Sequence, residues 1–193
     1  MINVLFMHGM AEGARSRLAS DIRKYLPEGY TLYSPDLLID PNESFKIIDK
    51  CIEENKIDIL VGHSLGGFMA QKYREMPKVL LNPSLGMSYG YLCRFDMRYK
   101  DMRDDGLTQF RFTTEDCKIY KAMEAIEFVG ITEKELENTI GLFGKRDILT
   151  RLSAHRFKKR YKRRRMIPGS HFPDEKTIRD YVVPAILSLG DNL

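Results

Sequence analysis

A serine set between glycines, an aspartate beyond a later strand and a histidine ahead of the last helix are the residues of this chain best suited to chemistry. The serine stands in GHSLG, residues 62 to 66, which fits the pattern G-x-S-x-G. In that pattern the serine sits on a tight strand-to-helix turn, the nucleophile elbow, which pushes its oxygen clear of a sheet. Gly62 and Gly66 leave room for the backbone to pass closely, so Ser64 is expected to be free to attack an acyl carbon. The helix after it aims its first amides at charge developing there, and Leu65 N–H is the expected first oxyanion donor. Alone, the pattern is common and reads as a glycine-rich turn with a capping serine. Here it follows the apolar run IDILVG, precedes a helical pattern, and is followed by an acid and a histidine in an order that such elbows use.

His171, in IPGSHF, is the expected general base, because it lies just past an apolar stretch and before the final helix. His8 and His63 adjoin the motif glycines too closely to swing onto Ser64, and His155 lies within a basic stretch. Asp147, in LFGKRDIL, would accept the second imidazole N–H and fix its tautomer. An aspartate there also suits the N-cap of a helix, and the two roles are compatible. Asp96, Asp101, Asp116 and Asp174 compete, but only Asp147 closes a strand pattern. The second oxyanion donor is expected from HGM, residues 8 to 10, with Met10 N–H as the candidate and His8 shaping the loop by hydrogen bonds.

These residues need a frame, and the chain alternates strand and helix patterns. INVLFMHG, YTLYSPD, IDILVG, KVLLNP, NTIGLFGKRD and RRMIPGSH read as strands ending in turns that carry the polar residues. RSRLASDIRKYL, NESFKIIDKCIEEN with Asn42 as N-cap, and the stretch after Ser64 read as helices. The last helix is DEKTIRDYVVPAILSLG, which Pro184 kinks or splits. Apolar runs without polar alternation suit strands buried on both faces. The expectation is a three-layer α/β fold around a mostly parallel sheet of about six strands, with ligands bound beyond the carboxyl ends of the strands.

The bulk properties agree with one domain over 1–193. With 193 residues, 43% hydrophobic and 30% charged, the chain can build one sizeable core, and no apolar run approaches the roughly 20 residues that span a bilayer. The N-terminus has no secretory pattern, so a cytoplasmic setting is expected. Cys51, Cys93 and Cys117 lack metal-ligand spacing, and neither a disulfide framework nor a metal is expected. The basic run RFKKRYKRRR, residues 156 to 165, is interrupted by apolar residues at near-helical spacing and is expected to be a solvated helix. A nucleic-acid or acidic-partner contact is the rival reading of that run.

The chain resembles the α/β-hydrolase superfamily, and within it the small YqiA-like esterases. The likeness rests on MHGM followed by ARS, then VGHSLGG, LLNPS, GKRD and PGSHF in that order, and it covers most of the chain. The resemblance implies a triad of Ser64, Asp147 and His171, no metal, no organic cofactor, and action on esters or thioesters. The stretch between Asn82 and Thr139 exceeds a usual loop, and a cap is expected around 84–137. Its tyrosines, phenylalanines and methionines could line a pocket over Ser64 or form the cap's own core, and Arg94, Arg98, Arg103 and Arg111 could receive an anionic group or serve as surface charge. The expected function is a serine hydrolase acting on a small ester or thioester through an acyl-enzyme, without membrane or nucleic acid. A peptidase or amidase could use the same residues, and a binding protein using 156–165 is a third reading. The oligomeric state is left open.

Overall fold

Strand and helix alternate along the chain as β1 (Ile2–Met7), α1 (Arg17–Tyr25), β2 (Tyr30–Tyr33), α2 (Pro41–Asn55), β3 (Ile59–His63), α3 (Leu65–Met69) with a 3-10 turn Ala70–Lys72, and β4 (Lys78–Leu81). An insertion follows with β5 (Asp96–Arg98), β6 (Gln109–Arg111), α4 (Thr114–Ile126) and α5 (Glu133–Asn138). The chain then rejoins the sheet as β7 (Thr139–Gly144), α6 (Arg151–Lys158) and β8 (Arg164–Ile167), and ends in α7 (Glu175–Thr177), a π turn Ile178–Val182 and α8 (Val183–Gly190). This computed structural model describes residues 1–86 and 95–193. Six strands form one parallel sheet in the order β2-β1-β3-β4-β7-β8.

Alternation along each strand feeds two cores. Leu5, Met7, Leu60, Leu80 and Phe143 pack on one face against Ile48 of α2, Phe68 of α3 and Phe157 of α6. Val4, Phe6, Val61, Val79 and Leu142 face the other way, against Leu18 and Ile22 of α1 and Ile178, Val182 and Ile186 of the final helical stretch. Burial on both faces explains why these strands read as unbroken apolar runs. The result is a three-layer α/β fold, as expected. β1 lies between β2 and β3, so the chain reverses direction across the sheet there and leaves a crevice beyond the carboxyl ends of β1 and β3.

Between β4 and β7, β5 and β6 pair antiparallel, and a capping box of Thr113 and Asp116 starts α4. Phe112 and Tyr120 are buried against the core, and the Tyr120 hydroxyl donates to Ile39 O at 2.9 Å. Arg103 is buried on the Tyr99 ring and paired with Asp105, while Arg111 pairs with Asp96 at 2.7 Å. Arg94, Cys93 and the insertion's first tyrosines lie outside the described residues.

Several local expectations change. The N-cap of α2 is Asp40 rather than Asn42, and its carboxylate accepts the Asn42 N–H at 2.8 Å; Pro41, with its fixed φ, takes the first helical position. Cys117 is disulfide-bonded and Cys51 is free, so a disulfide is present where none was expected. The basic run is not one helix: α6 stops at Lys158, a turn follows, and Arg164 opens β8. The near-helical spacing reflects two buried rings, Phe157 and Tyr161, that stack at 4.5 Å from either side of the helix end. Pro184 does distort the last helix. It has no N–H to give the Asp180 carbonyl, and the backbone widens into the π turn just before it. No helix among the described residues is long and apolar enough to cross a membrane.

Candidate active site

Ser64 is the single residue between β3 and α3, and it has φ 53° and ψ −115°. A side-chain-bearing residue is strained there, and such strain is held only where the surroundings over-determine it. The surroundings are close backbone contacts. A Cβ at Gly66 would lie 2.1 Å from the Met7 carbonyl oxygen, and one at Gly62 would lie 2.6 Å from that of Gly66. Glycine at both positions lets α3 press onto β1 and β3, which leaves Ser64 at the head of the turn. α3 has only five residues before its 3-10 turn, so its dipole is smaller than a full helix would supply.

The turns after β7 and β8 bring the other two predicted residues to it. His171 Nε2 lies 3.0 Å from Ser64 Oγ, and His171 Nδ1 lies 2.9 Å from Asp147 Oδ2. A carboxylate opposite Nδ1 places the ring proton on that nitrogen, which leaves Nε2 as the acceptor for the serine proton. Asp147 is held from its other side: Oδ1 accepts the N–H groups of Leu149 at 2.8 Å and Thr150 at 3.2 Å, and the Thr150 hydroxyl donates to Oδ2. Burial alone would raise the Asp147 carboxyl, but the hydrogen bonds from His171 and Thr150 outweigh it and hold the group below the usual carboxylate range. The cap of α6 is Thr150, so Asp147 organises the turn before the helix rather than capping it.

Met10 and Leu65 both border the cavity at Ser64. Met10 N–H meets no acceptor among the described residues, and Leu65, as the first residue of its helix, has no intrahelical acceptor. Both amides are thus unengaged beside the serine. The cavity, about 200 Å³, is walled mainly by apolar groups, among them Leu149 and Phe172, with Lys100 of the insertion also on its lining.

Four residues at the site escape a reading of the chain. Ser84 is buried, and its hydroxyl lies 3.1 Å from Ser64 Oγ. Asn82, at φ 44°, accepts the Gly144 N–H at 2.7 Å and donates to the carbonyls of Ser170 at 3.1 Å and His171 at 2.9 Å. It thereby ties the ends of β4 and β7 to the histidine loop. His63 is fully buried behind Ser64; its Nδ1 lies 2.7 Å from Glu12 Oε2 and its Nε2 2.9 Å from the His171 carbonyl. Both ring nitrogens face acceptors, so both carry protons. Burial would lower the imidazole pKa, yet the charge and hydrogen bond of Glu12 outweigh it and raise it. Burial opposes the Glu12 charge too, but His63 and the Gly9 N–H, which donates to Oε2 at 2.7 Å, bring its carboxyl down to about 2. His8 is the opposite case: burial lowers its pKa, its Nε2 accepts the Leu37 N–H at 2.8 Å, and its Nδ1–H faces Gly9 O at 2.8 Å, which makes it a neutral loop brace. The Glu12–His63 pair so joins the loop carrying Met10, the strand behind Ser64 and the loop of His171. Its signal in the chain was an acid three residues beyond Gly9 and a histidine inside the elbow motif. Among the described residues, no group of three or more histidines, cysteines and acids is arranged to hold a metal ion.

Solved structures share this architecture. Est1E from Butyrivibrio proteoclasticus, a structure with bound ferulic acid, is similar over 99% of this chain and 90% of its own, with a TM-score of 0.72 at 14% identity. A monoacylglycerol lipase from Paleococcus ferrophilus is similar over 95% and 94%, with a TM-score of 0.62 at 21% identity, and the pyrethroid hydrolase PytH over 98% and 97%, with a TM-score of 0.62 at 14% identity. At such identities the likeness concerns the fold, which is that of the α/β hydrolases. No curated protein matches the chain in sequence. Residues 3–138, which hold the elbow, Met10 and most of the insertion, match the uncharacterised protein family UPF0227, and the chain belongs to that family.

Proposed function

We propose that this protein is a serine hydrolase that cleaves a carboxylic ester or thioester through an acyl-enzyme. The observation that carries the proposal is the continuous line Ser64 Oγ, His171 Nε2, His171 Nδ1, Asp147 Oδ2, with gaps of 3.0 and 2.9 Å, headed by a serine held at φ 53°. In this reading Ser64 Oγ bonds to the carbonyl carbon while its proton passes to His171 Nε2. The carbonyl oxygen takes the negative charge, and the amides of Met10 and Leu65 receive it. Collapse expels the alkoxide or thiolate, which takes the proton from His171, and a water molecule activated by the same imidazole releases the acid. Asp147 keeps the imidazole in one tautomer and stabilises its protonated form. In the same reading the insertion, residues 84–137, acts as a cap, supported by the presence of Lys100 on the cavity lining.

Fluorophosphonate labelling of the wild type and Ser64→Ala, followed by p-nitrophenyl esters of increasing acyl length, tests the proposal. Label and turnover are expected in the wild type and absent from Ser64→Ala, with the shortest acyl groups preferred. Turnover that survives in Ser64→Ala rules the mechanism out.

A further inference from the structure

The charges around the cavity are unevenly engaged. Glu12 is taken up by His63 and the Gly9 N–H, Asp147 by His171 and Thr150, and Asp101 by the Gly13 N–H at 3.2 Å. Of the arginines in the insertion, Arg103 and Arg111 are committed to Asp105 and Asp96. Lys100 differs. It lines the cavity with Ser64, and it makes no ion pair among the described residues. Its backbone N–H donates to Ala11 O at 2.7 Å, which ties its root to the loop that carries Met10. Its ammonium sits 4.4 Å from the centre of the Phe172 ring, and that ring packs edge-on against His171 with centroids 5.0 Å apart. A cation over a ring face is held in place yet keeps N–H donors for a second partner.

An exposed lysine that makes no ion pair among the described residues, at a cavity walled mainly by apolar groups whose Glu12 is engaged by His63, is complementary to a ligand that is short, mostly apolar and negatively charged at one end. The size points the same way, since about 200 Å³ is below the roughly 300 Å³ at which pockets for drug-sized ligands begin. We infer that Lys100 is a specificity-determining residue and that the substrate is a short ester or thioester bearing a carboxylate or phosphate, a conclusion that rests on the hydrolase reading of the same site. The anion can lie on the acyl side or on the leaving group.

Two pairs of esters separate these cases. p-Nitrophenyl hemisuccinate against p-nitrophenyl butyrate puts the charge on the acyl group, and 4-acetoxybenzoate against its methyl ester puts it on the leaving group. In at least one pair the charged member is expected to have the higher kcat/KM, by about tenfold after correction for intrinsic reactivity, the factor that a single charge-assisted hydrogen bond supplies. Lys100→Met should bring that ratio close to one, Lys100→Arg should retain it, and salt should erode it. Ser64-dependent hydrolysis in which neither charged ester is favoured, or in which the ratio persists in Lys100→Met, overturns the assignment of Lys100 and leaves the hydrolase reading standing. Absence of any Ser64-dependent turnover in folded protein overturns both.

Discussion

Ser64 has one hydroxyl proton and two neighbours within reach, His171 Nε2 at 3.0 Å and Ser84 Oγ at 3.1 Å. With Nε2 unprotonated, the Ser64 hydroxyl donates to that nitrogen and Ser84 donates to Ser64, so both lone-pair directions of Ser64 Oγ are defined. That order depends on Asp147 holding the ring proton on Nδ1. Asp147→Asn can offer an N–H to Nδ1 in place of an acceptor, which moves the ring proton to Nε2 and, in the proposed mechanism, removes the base. We expect kcat to fall by about four orders of magnitude with little change in melting temperature. A near-normal kcat in ester assays would transfer the role to another acid. The buried Glu12–His63 pair gives a prediction about stability. Glu12, brought down to about 2, contributes above its ordinary 4.5 and loses that contribution as pH falls through the lowered value. His63, raised above 6.5, contributes below 6.5 and loses it as pH rises through the raised value. The pair is therefore worth most between pH 4.5 and 6.5. Glu12→Gln should cost about 3 kcal/mol there and progressively less at alkaline pH. Thermal melts of both proteins across pH check this, and a gap that widens at alkaline pH contradicts it.

At the scale of elements, the elbow is a steric arrangement more than a helix-dipole device. α3 is short, but it approaches β1 so closely that a methyl group has no place at Gly66. Gly66→Ala should therefore destabilise by more than about 3 kcal/mol, since the obstruction is backbone that cannot swing aside. Chemical denaturation measures it, and a loss under 1 kcal/mol would mean that α3 can move away from the sheet. This local crowding is why the elbow is legible in the chain: strand, glycines and serine lie within a few consecutive residues. Asp147 and His171 are legible for a related reason, because each closes a βα turn at the same end of the sheet. The Glu12–His63 contact spans 51 positions and uses residue types that occur on any surface, so only the folded arrangement reveals it. Asn82 is hidden similarly; its side chain substitutes for backbone pairing between turns that are remote in sequence. Asp40 before Pro41 was a readable helix start that the neighbouring Asn42 obscured. The basic run misled because charges at helical spacing look alike whether a helix continues or a strand begins.

At the scale of the whole molecule, a parallel sheet of six strands has two outer members, β2 and β8. β8 buries only Ile167 fully, and its remaining residues are half-buried or exposed. Arg163 donates to Glu137 O at 2.6 Å, and Arg165 lies over the Tyr181 ring at 4.5 Å, so part of the basic run is anchored to the protein's own surface. Arg156 is paired with Glu127 at 2.6 Å and Arg160 lies over the Phe128 ring, and among the described residues no strand pairs with the outer margin of β8. An unpaired strand margin is a template for a strand of another chain, and like charges along it make such pairing costly. Like charges beside such a margin oppose the pairing of two copies through it. Arg164→Thr with Arg165→Thr should leave ester turnover intact while light scattering on mild heating rises earlier than in the wild type; unchanged scattering would mean that the margin is guarded by its twist alone. An outer strand left unpaired beside like charges makes dispersal depend on electrostatic repulsion, and solubility should then fall as salt screens those charges.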